Sequence, residues 1–408
     1  MLCLGLTVAH DAGVAVMEDG KLVGLIQRER FTRRKRCALI TADFLTDALS
    51  RLGVAWSDID VVGIATCQSW PYLFAEPRRF RFDYDLDVAD RFPFSEQVRR
   101  GMAMGIDLPG TQNRLRTILA NIRNGLYAEY LVEDIAALDP DQDALWCYEW
   151  PYQLDWWNTS YGNGGLAEWT ARLPALRKLH QGYMPVAVTL DGVRKPGLLV
   201  PHHLAHAAYA FYQSDADRAA VYTVDNGDVS SHHGGYSAGI FAVGEGERLV
   251  PVGPTFQIHG HFYQRTAEHL GLGHGSGAGK LMGLAPYGQP RFADRAMIGN
   301  AFEVFGQDYA FGKKSSRDHV IKPLLARVAK AAGHLYGDPD ALVPGADPAA
   351  LGSSDLRRQS VDIAASAQWV FEQSILQVTR DFAIALIETG QQLPRLCLGG
   401  GGALNCPA

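Results

Sequence analysis

The chain has 408 residues, 47% hydrophobic and 20% charged, with 38 Lys and Arg against 44 Asp and Glu, a formal net charge of -6. That length implies two or three lobes, and the acidic balance gives no general drive toward nucleic acid or an anionic membrane. No run reaches the ~18 apolar residues of a membrane span, and the six scattered cysteines, with no CxxC pair, fit reduced thiols in a cytoplasm rather than a disulfide framework.

The first segment, Met1 to Ala9, is apolar without a basic start and is interrupted by His10-Asp11, so it predicts a buried strand (Leu2 to Val8) and not a signal peptide. A second strand, Gly13 to Met17, turns at Glu18-Asp19-Gly20 into a third, Leu22 to Ile26; Asp-Gly between apolar runs is a hairpin signal. Residues 28–36 then carry six basic side chains in nine. Such a run is either a solvated basic turn or an anion site in which Arg30 and its neighbours grip phosphate.

A helix is expected from Thr41 to Leu52. From about Gln68 to Gly182 the chain carries Trp70, Trp146, Trp150, Trp156 and Trp157. Helices are expected there at Phe94 to Gly105, Asn113 to Ala137 and Gly165 to His180. This aromatic insertion is either a lid over an acceptor or a helical subdomain with its own core.

His202-His203-Leu204-Ala205-His206 opens an Ala-rich stretch expected to be helical from Leu204 to Tyr212. His202 and His206, at i and i+4, share one helical face. The strand after it, Arg218 to Val224, ends at Asp225. Two imidazoles and one carboxylate suit a transition metal with open positions; an i,i+4 pair of ordinary structural histidines is the alternative. The next strands, Tyr236 to Val243 and Arg248 to Val252, repeat the order of the first three: strand, acidic turn (Asp11, Asp225), strand, tight turn, strand. A period of about 215 residues means two like lobes rather than a solenoid.

Further helices are expected at Gln264 to Leu270, Leu324 to Gly333 and Val361 to Thr389, and an exposed loop at 337–354. Two glycine-rich segments stand out. Gly271 to Lys280 resembles a phosphate loop in composition but lacks the GxxxxGK[ST] form, since Leu281 follows the lysine; Gly277, Gly279 and Lys280 are its candidate anion contacts. Leu396 to Asn405 runs from a short apolar strand through Gly400, Gly401 and Gly402 to a helix start, a geometry that lets backbone amides contact a nucleotide. The chain stops three residues later, so the second lobe is expected to be incomplete as given.

The duplicated lobes resemble the α/β plan of the actin, sugar-kinase and heat-shock ATPase superfamily, in which the two acidic turns face an interlobe cleft. Taken together, His10-Asp11, Glu29-Arg-Phe-Thr-Arg-x-Lys35, His202-His-Leu-Ala-His206, Thr223-Val-Asp225, Gly279 to Gly288 and Gly400 to Cys406 resemble the NodU/TobZ-type O-carbamoyltransferases. The resemblance implies that residues 1–67 form a first lobe core, 68–185 a helical insertion and 186–408 a second lobe, with a YrdC-like domain beyond. That further domain would make carbamoyl-adenylate from carbamoyl phosphate and ATP. The part represented here, related to the universal tRNA threonylcarbamoyl transferase, would pass the carbamoyl group to an acceptor hydroxyl beside iron(II) or another divalent transition metal.

By the same resemblance His202, His206 and Asp225 are metal ligands and a further Asp is expected downstream. Gly400 to Asn405 would hold the adenylate, His10 would serve as general base near the acceptor, Lys35 would contact phosphate or the carbamoyl donor, and Asp11 and Arg30 would bind substrate. Ala278, Gly402 and Asn226-Gly-Asp-Val229 depart from the family pattern. The acceptor is expected to be a small-molecule alcohol, a bulky polyketide or glycoside by the size of the insertion, and the setting a cytoplasmic one without nucleic acid or membrane; a homodimer is compatible with it. A kinase or tRNA-modifying relative of the same fold, and a non-catalytic metal- and nucleotide-binding module, are the competing readings.

Overall fold

The computed structural model describes residues 1–8, 11–35, 37–65, 72–74, 76, 78–85, 146–148, 166–177, 184–225, 228–230, 235–255, 259–273, 277–298, 354–392 and 395–407. His10, the expected helices at 94–105, 113–137 and 324–333, and the expected loop at 337–353 lie outside them. The architecture is mixed α/β, and the chain divides into two units, 1–159 with 180–205 and 160–179 with 206–408.

The first unit is built on a seven-stranded sheet. β1 (Leu2–Thr7), β2 (Gly13–Glu18) and β3 (Lys21–Gln27) form an antiparallel meander, and β4 (Val61–Ala65) lies parallel to β1. The turn between β2 and β3 puts Asp19 and Gly20 at φ 47 and 80, the left-handed geometry that matches strand twist in a two-residue hairpin. Alternate residues Leu4, Leu6, Val14, Val16, Val62 and Ile64 are buried on one face against Phe44, Leu45 and Leu49 of α2 (Ala42–Arg51). Thr41 caps that helix by accepting from the Phe44 amide, as the Thr41 to Leu52 expectation requires. A one-turn helix, α1 (Glu29–Thr32), precedes it.

The segment expected to be a helical insertion contributes strands. β5 (Tyr72–Phe74) pairs with β7 (Trp146–Tyr148), while β6 (Phe80–Tyr84) joins the first sheet. In β6 the buried Phe80 and Phe82 alternate with Arg81 and Asp83, the period of two that marks a half-buried strand. β8 (Met184–Leu190) and β9 (Val193–Val200) complete the order β3-β2-β1-β4-β9-β8-β6. They carry the first unit to Ala205, past the end of the insertion.

The second unit holds a four-stranded sheet, β14-β13-β10-β15, from β10 (Arg218–Thr223), β13 (Gly239–Glu245), β14 (Arg248–Thr255) and β15 (Leu396–Gly399). Its order and senses match β3-β2-β1-β4: two antiparallel pairings, then a parallel one. The 35-residue helix α8 (Ser354–Glu388) packs on it; Phe241 stacks on Tyr222 at 5.1 Å and meets Phe382 at 4.8 Å. Both α6 (His259–His269) and α7 (Gly277–Leu284) pack on α8.

Local expectations change here for identifiable reasons. The single helix expected at Gly165 to His180 is two pieces, α3 (Leu166–Ala171) and α4 (Leu173–Leu176). Pro174, lacking an amide proton, sits in the first turn of the second piece and cannot continue the first. The strand expected at Tyr236 to Val243 divides at Ala238: β12 (Gly235–Ser237) pairs with β11 (Asp228–Ser230), and β13 starts afresh. Gly239 passes so close beneath the Thr223 carbonyl that a Cβ there would overlap it. The last four of the ten residues in the glycine-rich stretch expected to be a loop, Gly277 to Lys280, are the first turn of α7.

Candidate functional site

The histidines lie on α5 (His202–Tyr212), which starts two residues earlier than periodicity predicts, directly after Pro201, whose carbonyl accepts from the Ala205 amide. Four alanines favour the helix. Leu204, Ala207 and Phe211, at i, i+3 and i+7, turn inward, and Phe211 lies against Gly244 of β13, where a Cβ would overlap its ring. A missing side chain in the strand therefore lets the helix lie close to the sheet.

β10 runs almost wholly buried to Thr223, and Asp225 follows at its carboxyl end, held by its own amide to the Ala238 carbonyl at 2.8 Å. His206 Nε2 and Asp225 Oδ2 stand 3.1 Å apart, both partly buried. His202, His203 and His206 lie on one helix. Ligand atoms of His202, His203 and Asp225 lie within 4.8 Å of one another. The metal-sized grouping thus includes His203, which is 2% exposed and whose ring meets that of His202 edge-on at 5.1 Å. The i,i+4 rule finds His202 and His206 but passes over His203, since neighbours in sequence do not share a helical face; the repeated His in His202-His203 is the signal it leaves unused.

The third wall is the loop after β15. The Val224 amide donates to the Gly399 carbonyl and the Gly402 amide to the Val224 carbonyl, each at 2.8 Å. Gly399 abuts the backbone of His206, and Gly400 at φ 86 abuts the Val224 carbonyl; a Cβ at either would overlap them. A Cβ on Gly401 would stand 3.2 Å from Asp225 Oδ1. Three bare glycines therefore bring the loop's backbone against the Asp225 turn, where a nucleotide phosphate or mixed anhydride could be received. The expected helix start after the glycines is a short 3-10 turn, Gly401–Leu404.

Several other sequence candidates are engaged by their own neighbours. Gly277 packs on Ala267 of α6, and the Lys280 ammonium donates to the Leu272 carbonyl at 2.9 Å rather than standing free over an anion. In the first unit, Lys35 pairs with Glu29 at 3.1 Å, and the Arg30 guanidinium lies 3.8 Å from the same carboxylate. Asp11 is exposed and sits at φ 59, in the left-handed region that Asp and Asn enter more readily than most residues. Arg28, counted in the basic run, turns inward and donates to the carbonyls of Ala38 and Leu39 at 2.5 and 3.0 Å.

The model of a family described as "Carbamoyltransferase N-terminus" matches residues 2–74 and 120–408. An uncharacterized protein of Synechocystis sp., sll1178, is 27% identical over 404 residues, covering 98% of this chain and 50% of that protein. The nodulation protein NolNO of Sinorhizobium fredii is 31% identical over 209 residues, 51% of this chain and 26% of its own length. NolO of Bradyrhizobium diazoefficiens is 31% identical over 216 residues, 50% of this chain and 31% of its own. The chain spans half or less of the length of these relatives. The match over nearly all of the sequence shows that the chain belongs to the carbamoyltransferase N-terminus family.

Proposed function

We propose that this chain carries the carbamoyl-transfer centre of an O-carbamoyltransferase, moving the carbamoyl group of carbamoyl-adenylate to the hydroxyl of a secondary metabolite. The observation that supports it most is the junction at Asp225: His206 lies on one oxygen of its carboxylate and Gly401 beside the other. The equal strand orders of the two sheets support a duplicated plan of the actin and sugar-kinase type.

The donor set fits a divalent first-row ion such as iron(II). Two ligands on opposite sides of one ion stand about 4.2 Å apart, and the ligand atoms of His202, His203 and Asp225 all lie within 4.8 Å of one another. His202, His203 and Asp225, which group at that distance, would hold it together with His206, 3.1 Å from Asp225, and the bound ion would supply a Lewis acid for the charge that grows on the carbamoyl oxygen. Around it the chain's own groups do the rest. Gly400 to Gly402 admit the adenylate close to Asp225 because no side chain intervenes. Asn405 anchors the nucleotide side of the loop. His10 receives the acceptor's proton as general base, and Lys35, with Arg30 and Asp11, orients the phosphate and acceptor. The carbamoyl C–O bond to AMP breaks as the acceptor oxygen adds, and AMP leaves as the anion. The setting is a cytoplasmic one, the acceptor a bulky polyketide or glycoside alcohol.

Supplied with carbamoyl-adenylate and an acceptor alcohol, the protein is expected to release AMP and the carbamoyl ester. Transfer of phosphate from ATP to the alcohol with release of ADP would replace this reading with a kinase. His206→Ala is expected to lower bound metal at least about tenfold, read by elemental analysis after dialysis, with the circular dichroism spectrum unchanged. Full metal content in that variant would remove His206 from the site.

A further inference from the structure

Behind the glycine loop lies a closed polar network in the second unit. Gln368 of α8 and Asn405 face each other amide to amide: Gln368 Nε2 donates to Asn405 Oδ1 at 2.8 Å, and Asn405 Nδ2 donates back to Gln368 Oε1 at 3.1 Å. Gln368 Oε1 also accepts from the Tyr263 hydroxyl of α6 at 2.6 Å, and Gln368 Nε2 also donates to Glu372 Oε1 at 2.8 Å. All four hydrogen-bonding positions of this amide are filled. Gln368 and Tyr263 are 6% and 5% exposed, and burial pushes the Tyr263 phenol well above its ordinary range, so it stays a neutral donor.

An amide can be turned over at little cost unless its partners tell oxygen from nitrogen. Here one does. A carboxylate only accepts, so Glu372 requires the Gln368 NH2 on its side, one helical turn along α8. That leaves Gln368 Oε1 toward Tyr263 and the Asn405 NH2, and Gln368 Nε2 toward Asn405 Oδ1. The polarity of Glu372 is thereby transmitted to Asn405, whose NH2 is set toward Gln368 Oε1 and the Tyr263 hydroxyl and whose Oδ1 is set toward Gln368 Nε2.

We propose that Gln368, wired by Glu372 and Tyr263, is a positioning residue that fixes which way the Asn405 amide presents its donor and acceptor to the nucleotide. This rests on the reading of Gly400 to Asn405 as the nucleotide loop. Gln368 touches no ligand; it acts through Asn405.

Calorimetric titration with AMP tests this on the 408-residue chain. Gln368→Met and Asn405→Ala are each expected to weaken AMP about tenfold. The double variant is expected to bind no more weakly than Asn405→Ala alone, since a residue acting through another adds nothing once that other is gone. Glu372→Gln keeps the volume but supplies a group that can donate or accept, and is expected to weaken AMP about threefold. It also carries the test if Gln368→Met does not fold. Additive losses in the double variant, or wild-type affinity in Gln368→Met or Glu372→Gln while Asn405→Ala is weakened, would overturn the positioning role and leave the nucleotide loop standing. Wild-type affinity in Asn405→Ala, or no AMP binding by the parent chain, would overturn the nucleotide reading of the loop and this inference with it.

Discussion

Arg28 shows how far composition reaches for a single residue. Six cations in nine residues mark an exposed or anion-binding turn, and for Lys35, with its side chain 83% exposed, exposure is what the structure shows. Among the described cations of the run Arg28 is the exception, at 8% exposed. Its guanidinium holds two backbone carbonyls, one belonging to Leu39, which itself sits at φ 68. A planar group with several donors can satisfy both carbonyls at once, which a lysine cannot reproduce in the same geometry. Arg28→Met would leave two buried acceptors without those donors, and is expected to lower unfolding stability by about 2–3 kcal/mol. Lys35→Met is expected to stay within about 0.5 kcal/mol of the parent. Urea unfolding of both variants measures this; equal stabilities would show that the Arg28 contacts are replaceable by water.

At the scale of elements, amphipathic spacing locates most helices of the described residues and misses where packing, not pattern, decides. Thr41 to Leu52 is legible because a cap and an i, i+3, i+4 apolar set coincide. The break at Arg172 is written in Pro174, but the helical periodicity on either side hides it. The site divides the same way. His202, His206 and Asp225 are legible from spacing and a strand end, whereas the pairing of Gln368 with Asn405 joins residues 37 apart and depends on how α8 is rotated on its axis. The segment after α7 is another such case. Pro286-Tyr287-Gly288 reads as a turn, yet Gly288 is needed at φ -114 for space: a Cβ there would overlap the Val361 carbonyl of α8. The strap that follows is tied to α8 by the Gln289 amide to Asp362 at 2.7 Å and the Phe292 amide to Ser366 at 3.0 Å. Gly288→Ala must push the strap off the helix and is expected to cost about 1–3 kcal/mol, as overpacking does. Gly279→Ala, with open space around it, is expected to be neutral or slightly stabilising because it removes a glycine from a helix. Thermal unfolding of the pair distinguishes close approach from mere turn preference; a neutral Gly288→Ala would contradict the packing argument.

Over the whole molecule, the repeat of strand, acidic turn, strand, tight turn, strand is visible in the sequence because each strand alternates or runs apolar between Gly and Asp punctuation. The parallel fourth strand of each sheet is not visible as part of the repeat, since α1, α2 and a short 3-10 turn separate β3 from β4 whereas long stretches including α8 separate β14 from β15. Strand order makes a prediction that local pattern does not. Among the described residues β1 is flanked by β2 and β4, and β10 by β13 and β15, while β3 has a neighbour on one side only and exposes Leu22, Val23 and Leu25 by 47–59%. Backbone amides open to exchange most rarely where both neighbours must be lost together and the side chains are buried. Hydrogen exchange at Leu4 and Leu6 in β1, and at Val221 and Thr223 in β10, is therefore expected to be roughly a hundredfold slower than at Leu22 to Leu25 in β3, a difference of about 2.7 kcal/mol in opening free energy. The matching positions of the two strands make this one rule applied twice: slow β1 with fast β10 would show that the second sheet does not share the stability its order implies. Exchange in β3 as slow as in β1 would instead mean that a further element covers the β3 edge in solution.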